Sequence, residues 1–417
     1  MAPPENETPR RLWILTEVYY PEEISTGYYM TSIAEGFAAD REVTVLTGQP
    51  KHMARGQVAP KRETRNGVEI IRTWGTTLSK NVLIFRLLNM LTIGLSTFFQ
   101  SVRRFQQGDH VLVVTAPPSL PVTTALAALL KGASFTLLVQ DSYPEILIAV
   151  GAVKKNSFFV SVVNFFNRWV YKYASNIIVM GRDMKELFQA KTVGLDVPII
   201  TIPNWADLET IRPTPREGNK LLLELGISHK FVFMYAGNIG HPTDIETLIE
   251  CAAKLIDREE FHFVFIGDGA KKKWLETRVN ELSLKNVTVL DYRPRARQIE
   301  FLNACDVGLV ALIKGMRGTA MPSRTYNIMA AGRPILALTD EGSELAWVID
   351  EDQIGWHIPP GDPGLLRDTI LAIYRSRDDL AEMGERARAA AVEKYSKAIA
   401  VEAYRNAMDG NVVQNRL

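Results

Sequence analysis

The chain has 417 residues, of which 47% are hydrophobic and 23% charged, and its formal net charge at pH 7 is +1. This length exceeds one ordinary hydrophobic core, so two domains are expected, and the composition is that of a soluble globular protein. A net charge so close to zero argues against nucleic acid as a partner.

Features that bear on the cellular compartment are few. The polar start of the chain, MAPPENETPRR, contains no apolar stretch of the kind found in a secretory signal. Cys251 and Cys305 lie in apolar stretches without a partner at metal-binding or redox spacing, so both are predicted to be buried thiols. We therefore expect a cytoplasmic protein.

Short apolar segments alternate with longer amphipathic ones in the first half of the chain, which is typical of a doubly wound α/β sheet. Several of these segments are apolar throughout, as parallel strands covered on both faces are. Helices are predicted between them, for example at 27–39 and 119–130. The predicted strands are Leu12–Thr16, Val43–Thr47, Val68–Arg72, His110–Thr115, Ser134–Gln140, Asn176–Met180 and Pro198–Ile202.

A second α/β series follows a linker at 204–219 that is rich in proline and charge. We therefore predict two Rossmann-like domains, 1–203 and 220–395, that face a central cleft, with a C-terminal helix at 396–417 packing on the first. The predicted strands are Phe231–Ala236, Phe261–Ile266, Val287–Leu290, Asp306–Ala311 and Pro334–Ala337, and the predicted helices are Ile245–Ile256, Lys271–Glu281, Gln298–Ala304, Tyr326–Ala331, Pro363–Arg375 and those between Asp378 and Met408.

Two glycine-rich turns follow neighbouring strands of the second series. The first holds Gly237, Asn238 and Gly240, and the second holds Gly267 and Gly269. Glycines at a strand-to-helix turn let backbone N–H groups approach a pyrophosphate, and a helix N-terminus favours negative charge. A tight turn without a ligand explains either one alone equally well, but two in one sheet favour a phosphate site.

The most specific segment is Met321–Pro334, which reads MPSRTYNIMAAGRP. Pro322 and Ser323 at a helix start leave backbone N–H groups free for an anion. Arg324 adds a fixed positive charge whose bidentate geometry suits phosphate. Packing alone does not explain the whole arrangement, so the segment predicts a donor-phosphate site.

This segment resembles the Pro-Ser-Lys/Arg…Met-Ala-x-Gly-x-Pro donor motif of the retaining family-four glycosyltransferases, which have the GT-B fold. The resemblance covers nearly the whole chain: Pro203–Asp207 is similar to the inter-domain hinge of that family, and the two glycine turns match its C-domain turns. The run Gln140-Asp-Ser-Tyr-Pro-Glu145 is similar to one that marks the subgroup acting on colanic-acid, O-antigen and capsule precursors. The resemblance implies transfer of a sugar with retention of anomeric configuration.

The chain departs from this family at two positions. Most members carry two glutamates eight residues apart, the second of which holds ribose hydroxyls, but this sequence has Thr319 and Asn327 there. Asparagine still hydrogen-bonds a hydroxyl, without the charge. Ribose binding is therefore assigned to Asn327 as a hypothesis, and the departure is interpreted as a subgroup character.

The remaining candidates lie after predicted strands. In the first half, Gly27 would admit donor phosphates or the acceptor, and Asp141 and Glu145 would orient or deprotonate an acceptor hydroxyl as catalytic residues. A helix cap or turn explains Asp141 equally well. In the second half, Tyr292 or Arg293 would border the nucleotide base.

No histidine pair, acidic cluster or Asp-x-Asp run has metal-ligand spacing, so neither a cofactor nor a metal is expected. The leaving diphosphate would then be balanced by Arg324 and helix N-termini, with Arg317, Lys314 or one lysine of 271–273 as further candidates.

Two apolar segments point to a membrane surface as a further partner. Residues 81–100 are interrupted by Arg86 and Asn89, and so are a poor spanning helix, but their apolar stripe is wider than one sheet face requires. Phe158–Val170 has basic residues on both sides. Core packing explains most of the apolar positions; in-plane docking on the inner face of the cytoplasmic membrane explains the rest.

We therefore predict a metal-independent glycosyltransferase that moves a hexose or amino-hexose from a UDP-sugar. Its acceptor would be a polyprenyl-diphosphate-linked sugar or another polysaccharide precursor. Two alternatives remain: a nucleotide-sugar epimerase of the same fold, against which the apolar segments count, and a non-catalytic partner subunit, which the missing glutamates favour and the intact Pro322–Arg324 does not.

Overall fold

The computed structural model describes residues 11–50, 58–76, 78 and 83–410, apart from the side chains of residues 83, 86 and 87. The described chain divides into two units. The first contains residues 11–145, 153–203 and 398–410, and the second contains 146–152 and Asn204–Lys397. Both units are α/β sheets with helices between parallel strands, which confirms the predicted fold class.

The first unit is built on an eight-stranded sheet of order β3-β4-β2-β1-β5-β6-β7-β8, parallel except for β3 against β4. Its central strands are buried along their whole length, as expected of strands covered on both faces. The strands are β1 (Leu12–Leu15), β2 (Val43–Thr47), β3 (Arg62–Arg65), β4 (Val68–Arg72), β5 (His110–Val114), β6 (Ser134–Val139), β7 (Asn176–Val179) and β8 (Ile199–Thr201).

Helices connect these strands, as the parallel pairing requires. The fifth begins at the cap Ser157, whose side chain accepts a hydrogen bond from Val160 N at 3.4 Å. The helices are α1 (Ser25–Phe37), α2 (Leu83–Arg104), α3 (Ser119–Lys131), α4 (Glu145–Ala149), α5 (Phe158–Tyr173) and α6 (Arg182–Lys191).

The second unit is built on a six-stranded parallel sheet of order β11-β10-β9-β12-β13-β14. The strands are β9 (Phe231–Ala236), β10 (Phe261–Ile266), β11 (Val287–Leu290), β12 (Val307–Ala311), β13 (Ile335–Leu338) and β14 (Gly355–Ile358). The helices that follow β8 along the chain are α7 (Lys220–Leu225), α8 (Ile245–Lys254), α9 (Lys272–Glu281), α10 (Gln298–Leu302), α11 (Arg324–Ala330), α12 (Glu344–Asp352), α13 (Pro363–Arg375), α14 (Leu380–Glu393) and α15 (Lys397–Met408), and all but α15 belong to the second unit.

Phenylalanines on the central strands fill the core of the second unit. Phe233 and Phe263 stack with ring centroids 5.5 Å apart, and Phe231 and Phe261 pack edge-on against Tyr374 of α13. Both cysteines are buried, as predicted. A rigid sheet of this kind fixes the turns that follow β9 and β10, and those turns carry the candidate site.

Helix α15 packs within the first unit although it is the last helix of the chain. Asn176 Nδ2 donates to the carbonyl of Ala407 at 2.8 Å, and Arg41 pairs with Asp409 at 3.2 Å. Gly36 of α1 leaves room for Val401. Residues 398–410 therefore belong to the first unit by their contacts.

Candidate functional site

The glycine turns after β9 and β10 interlock. Gly237 N donates to the carbonyl of Ile266 at 2.8 Å, and Ile239 N donates to that of Asp268 at 2.9 Å. A Cβ on Gly267 would lie 1.9 Å from the carbonyl oxygen of Gly237, so only glycine permits this approach. The structure thus brings both predicted turns to one place at the carboxyl edge of the sheet.

Arg324, at the start of α11, lies directly over the first turn. Its guanidinium carbon is 4.0 Å from the centroid of the Tyr235 ring, and a Cβ on Gly237 would come within 3.0 Å of it. Nη2 is 3.5 Å from the carbonyl of Asn238, the long limit of a hydrogen bond. Nη1 is buried and has no hydrogen-bond partner among the described residues.

Arg324 as a whole is half-buried, but its guanidinium has one buried donor, Nη1, that is unused among the described residues. A buried charged donor without a partner is costly, so such a group in a native protein calls for an explanation. Planar guanidinium donors suit the oxygens of a phosphate. The arrangement is therefore suited to an anion held between Arg324 and the glycine turns.

The first turn is held from below by Tyr235 and Thr243. The Tyr235 hydroxyl donates to the carbonyl of Asn238 at 2.7 Å and lies 3.0 Å from Thr243 Oγ1. The Asn238 side chain is exposed and lies beside Gly240 and Gly269. Five of the predicted donor-site residues, together with Arg324, therefore share one small region. Tyr235, which supports Arg324, was not among the predicted residues.

Helix α11 is fixed by packing rather than by a side-chain cap. Ser323 precedes it without a capping hydrogen bond from its side chain, and residues 325–330 are buried. A Cβ on Gly308 of β12 would lie 2.7 Å from Ile328, so helix and strand are in close contact. This contact sets the position of Arg324.

At the two positions where the resembling family has glutamates, the side chains form hydrogen bonds within the protein. Asn327 Oδ1 accepts from the backbone N–H of Asp207 at 3.2 Å, and Thr319 Oγ1 donates to the carbonyl of Met316 at 2.8 Å. Asp207 in turn pairs with Arg295 at 3.3 Å. Asn327 therefore ties the linker to α11, a role that the sequence did not indicate.

Most of the other predicted cations are engaged elsewhere. Lys271 pairs with Glu246 at 2.9 Å and Lys272 with Asp291, so neither ammonium is free for phosphate. Arg317 Nε donates to the carbonyl of Gly342 at 2.8 Å.

The predicted base-contacting residues follow β11. Arg293 pairs with Glu224 at 3.4 Å and with Glu300 at 3.5 Å, so its guanidinium is already neutralised. Tyr292 is 41% exposed. Of the two, the tyrosine exposes the larger part of its side chain.

In the first unit, Asp141 follows β6 beside Thr115, which follows β5. Thr115 Oγ1 donates to the carbonyl of Asp141 at 2.9 Å. Asp141 lines a small pocket that also contains Asn167 and Tyr171. Burial raises the pKa of the Asp141 carboxyl to about 6, which suits a group that exchanges a proton near neutral pH.

Glu145, the other predicted catalytic residue, has its carboxylate engaged by neighbouring side chains. It pairs with Lys191 at 2.7 Å and accepts a hydrogen bond from Ser142 Oγ at 2.8 Å. Burial lowers the pKa of Lys191, although the neighbouring carboxylate opposes this shift. Lys191, some 46 residues away along the chain, carried no signal in the sequence.

Gly27 lies buried in the first turn of α1, next to the carbonyl of Glu22. Within the described part of the chain, no three His, Cys, Asp or Glu side chains are grouped as metal ligands are. None of the described helices is both long and apolar enough to cross a membrane.

Two family models match the chain, one over the part that forms each sheet. Residues 224–390 match the family described as glycosyl transferases group 1, and residues 26–205 match a glycosyl transferase 4-like domain. Each unit therefore corresponds to one domain of a known two-domain enzyme type.

Full-length relatives agree with these matches. The chain is 32% identical over 401 residues to a probable glycosyltransferase, WbjE, of Pseudomonas aeruginosa, covering 94% of this chain and 96% of that one. It is 24% identical to WcaI of Escherichia coli K12, a putative colanic acid biosynthesis glycosyl transferase, over 78% of this chain and 83% of that one.

A solved structure shows the same fold at low identity. Anabaena HepE in complex with UDP-glucose superposes with a TM-score of 0.72 at 13% identity, covering 96% of this chain and 99% of that one. With the nearly full-length match to WbjE, these findings identify the chain as a member of the group 1 glycosyltransferase family, with the GT-B fold.

Proposed function

We propose that the protein transfers a hexose or amino-hexose from a UDP-sugar bound by its second unit. The observation that carries this is the buried Nη1 of Arg324, which has no hydrogen-bond partner in the described part of the chain and lies over the Gly237 turn. A nucleotide diphosphate supplies the missing acceptor oxygens. The UDP-glucose bound by HepE, which shares the fold, supports a nucleotide-sugar donor.

In this proposal, the diphosphate contacts Arg324, Ser323 and the turns at Gly237, Asn238 and Gly240, with Gly267 and Gly269 supporting them. Tyr292 borders the base, with Arg293 beside it, and Asn327 adjoins the ribose. The acceptor hydroxyl attacks the anomeric carbon on the face from which UDP departs, as the bond to the UDP oxygen breaks. Arg324 stabilises the charge that develops on the leaving phosphate. Neither metal nor cofactor takes part, and configuration is retained.

The acceptor is proposed to be a lipid-linked or polysaccharide-precursor glycan in surface polysaccharide biosynthesis, and the name of WcaI supports a role of this kind. Asp141 orients or deprotonates the acceptor hydroxyl, because its raised pKa makes it a stronger base than an ordinary carboxylate. Gly27 borders the acceptor. A lipid-linked acceptor places the enzyme at the inner face of the cytoplasmic membrane.

The donor site is tested by thermal shift with UDP, GDP, ADP and dTDP, with and without EDTA. We expect UDP to stabilise the protein equally with and without EDTA. In Arg324→Ala the apparent affinity for UDP should fall by at least about tenfold, since hydrogen bonds to charged groups contribute ~1.5–3 kcal/mol. Arg278→Ala, an exposed arginine of the same unit, is the control and should bind as the wild type does.

Analysis of the products separates transfer from the alternatives. Transfer predicts a glycosylated acceptor and free UDP, whereas an epimerase returns a nucleotide-sugar without any acceptor. Folded protein that binds none of the nucleotides would overturn the proposal. Nucleotide binding without turnover on any acceptor would instead indicate a non-catalytic partner.

A further inference from the structure

Helix α2 carries apolar side chains along its exposed face. Ile84, Leu88, Leu91, Leu95 and Phe99 are spaced three or four residues apart, so they lie on one side of the helix. Their exposed fractions are 57%, 40%, 52%, 54% and 67%. The exposed side of a surface helix ordinarily carries polar residues. This side is therefore suited to a neighbour other than water.

Two further helices continue this surface. Helix α3 packs against both α2 and α5, and it exposes Leu129 and Leu130. Helix α5 exposes Phe158 and Phe165 at 84% and 71%, with Phe166 beside them at 45%. The exposed apolar side chains of α2, α3 and α5 are here named the apolar face. Its extent over three helices exceeds the scattered apolar residues of an ordinary surface.

The segment of chain that carries the apolar face contains few acidic residues. Residues 70–182 include only three acidic residues, Asp109, Asp141 and Glu145, and none belongs to α2, α3 or the exposed part of α5. Asp109 is buried and accepts from Trp13 Nε1 at 2.8 Å, and Glu145 pairs with Lys191. The carboxylates of this region are thus withdrawn from the apolar face.

Basic residues lie at the ends of the same helices. Arg103 and Arg104 end α2, Lys131 ends α3, and Lys172 lies in the last turn of α5. Apolar and aromatic side chains rimmed by cations, without acids, are what an anionic bilayer surface attracts. An apolar protein partner would require the exposed leucines and phenylalanines but would not require acids to be excluded.

We propose that the apolar face docks in the plane of an anionic phospholipid bilayer, with the phenylalanines of α2 and α5 at the acyl-chain boundary and the basic residues among the phosphates. The biological role of this docking rests on the proposed function, because a lipid-linked acceptor requires the enzyme to reach the membrane. Its physical basis, exposure and charge, is independent of the donor site.

The test is flotation of the full chain with vesicles of phosphatidylcholine alone or mixed with phosphatidylglycerol. We expect binding to the phosphatidylglycerol vesicles that decreases as salt rises, because salt screens exposed charges. The double variant Phe99→Ser/Phe165→Ser should bind at least about tenfold more weakly, as two buried aromatic contacts are lost. Arg103→Gln/Arg104→Gln should weaken binding to the vesicles that contain phosphatidylglycerol and leave binding to pure phosphatidylcholine vesicles unchanged.

The matched control is Leu223→Ser/Trp274→Ser, which removes two exposed apolar residues of the second unit at 62% and 40% exposure and should bind as the wild type does. Wild-type protein that does not float, or a Phe99/Phe165 variant that floats equally well, overturns the proposal. So does a wild-type dimer in sedimentation velocity that the variant abolishes, because the face would then be covered by a second copy. UDP stabilisation, measured on every variant, shows separately whether the donor site stands.

Discussion

Around Arg324 the sequence motif predicted the kind of ligand, and the structure adds the surroundings of the guanidinium. The segment around it predicted phosphate binding, and the structure shows a guanidinium over the Tyr235 ring with a buried donor left unpaired among the described residues. Tyr235 itself could not be identified in advance, because an aromatic residue in an apolar strand is ordinarily assigned to the core. Three-dimensional proximity gives it a supporting role.

Gly237 is expected to matter because of the space it leaves for Arg324. In Gly237→Ala the added Cβ would lie 3.0 Å from the guanidinium, which must move. We expect UDP affinity to fall by about tenfold, which corresponds to ~1.4 kcal/mol. Titration calorimetry measures this.

The matched control for Gly237→Ala is Gly218→Ala. Gly218 also has positive φ, at +73°, but a Cβ there would meet nothing within 4 Å. The control carries backbone strain without a neighbour to displace, so it should lose stability and keep its UDP affinity. Equal loss of affinity in both variants would show that strain, not displacement of Arg324, is responsible.

Asp141 is expected to reduce stability at neutral pH. Its folded-state pKa of about 6 lies above the ordinary 3.8, so the folded protein binds more protons than the unfolded chain between these values. The free energy of unfolding therefore falls as pH rises through this window. Asp141→Asn, which cannot ionise, should gain on the order of 2 kcal/mol above about pH 6 and little below about pH 4.

Urea unfolding at the two pH values checks this prediction, with the exposed Asp196→Asn as a control that should change little. The same Asp141 variant should lose transfer activity if the carboxylate acts on the acceptor. A variant without any gain in stability at neutral pH would contradict the assigned burial effect.

Among the elements, the buried strands were predictable, whereas two of the four edge strands, β3 and β14, were not. Strand β10 is buried throughout and apolar except for His262, so its pattern is unambiguous. Strand β3 reads Arg-Glu-Thr-Arg and alternates between exposed and half-buried positions, and β14 reads Gly-Trp-His-Ile at the other sheet's edge. Edge strands need little apolar burial, because pairing with one neighbour holds them. Hence both were missed.

Helix α15 is expected to stabilise the first unit. Tyr404 is 2% exposed and Ala407 accepts from Asn176, so Tyr404→Ala should cost ~3–5 kcal/mol through the cavity it leaves. Hydrogen exchange followed by mass spectrometry should show faster exchange in β1, β2 and β7, with β9 to β13 unchanged. Uniform acceleration in both units would contradict the assignment of the helix to the first.

At the scale of the whole molecule, the fold class followed from two successive α/β series, since repeated strand–helix alternation permits few architectures. The structure brings some of the predicted site residues together and holds others in ion pairs. Gly237, Asn238, Gly267 and Arg324 come together, whereas Glu145 and Arg293 are held in ion pairs with Lys191, Glu224 and Glu300. Ion pairs between residues far apart in sequence leave no local pattern. The pairing of Glu145 and Arg293 could therefore not be predicted from the sequence.

We have proposed that the second unit binds the donor diphosphate between Arg324 and the glycine turns. Hydrogen exchange of the wild type with and without UDP tests this binding site. We expect slower exchange at residues 237–241, 267–271 and 322–327, and no such protection in Arg324→Ala. Slower exchange confined to other segments, or the same protection in the variant, would contradict it.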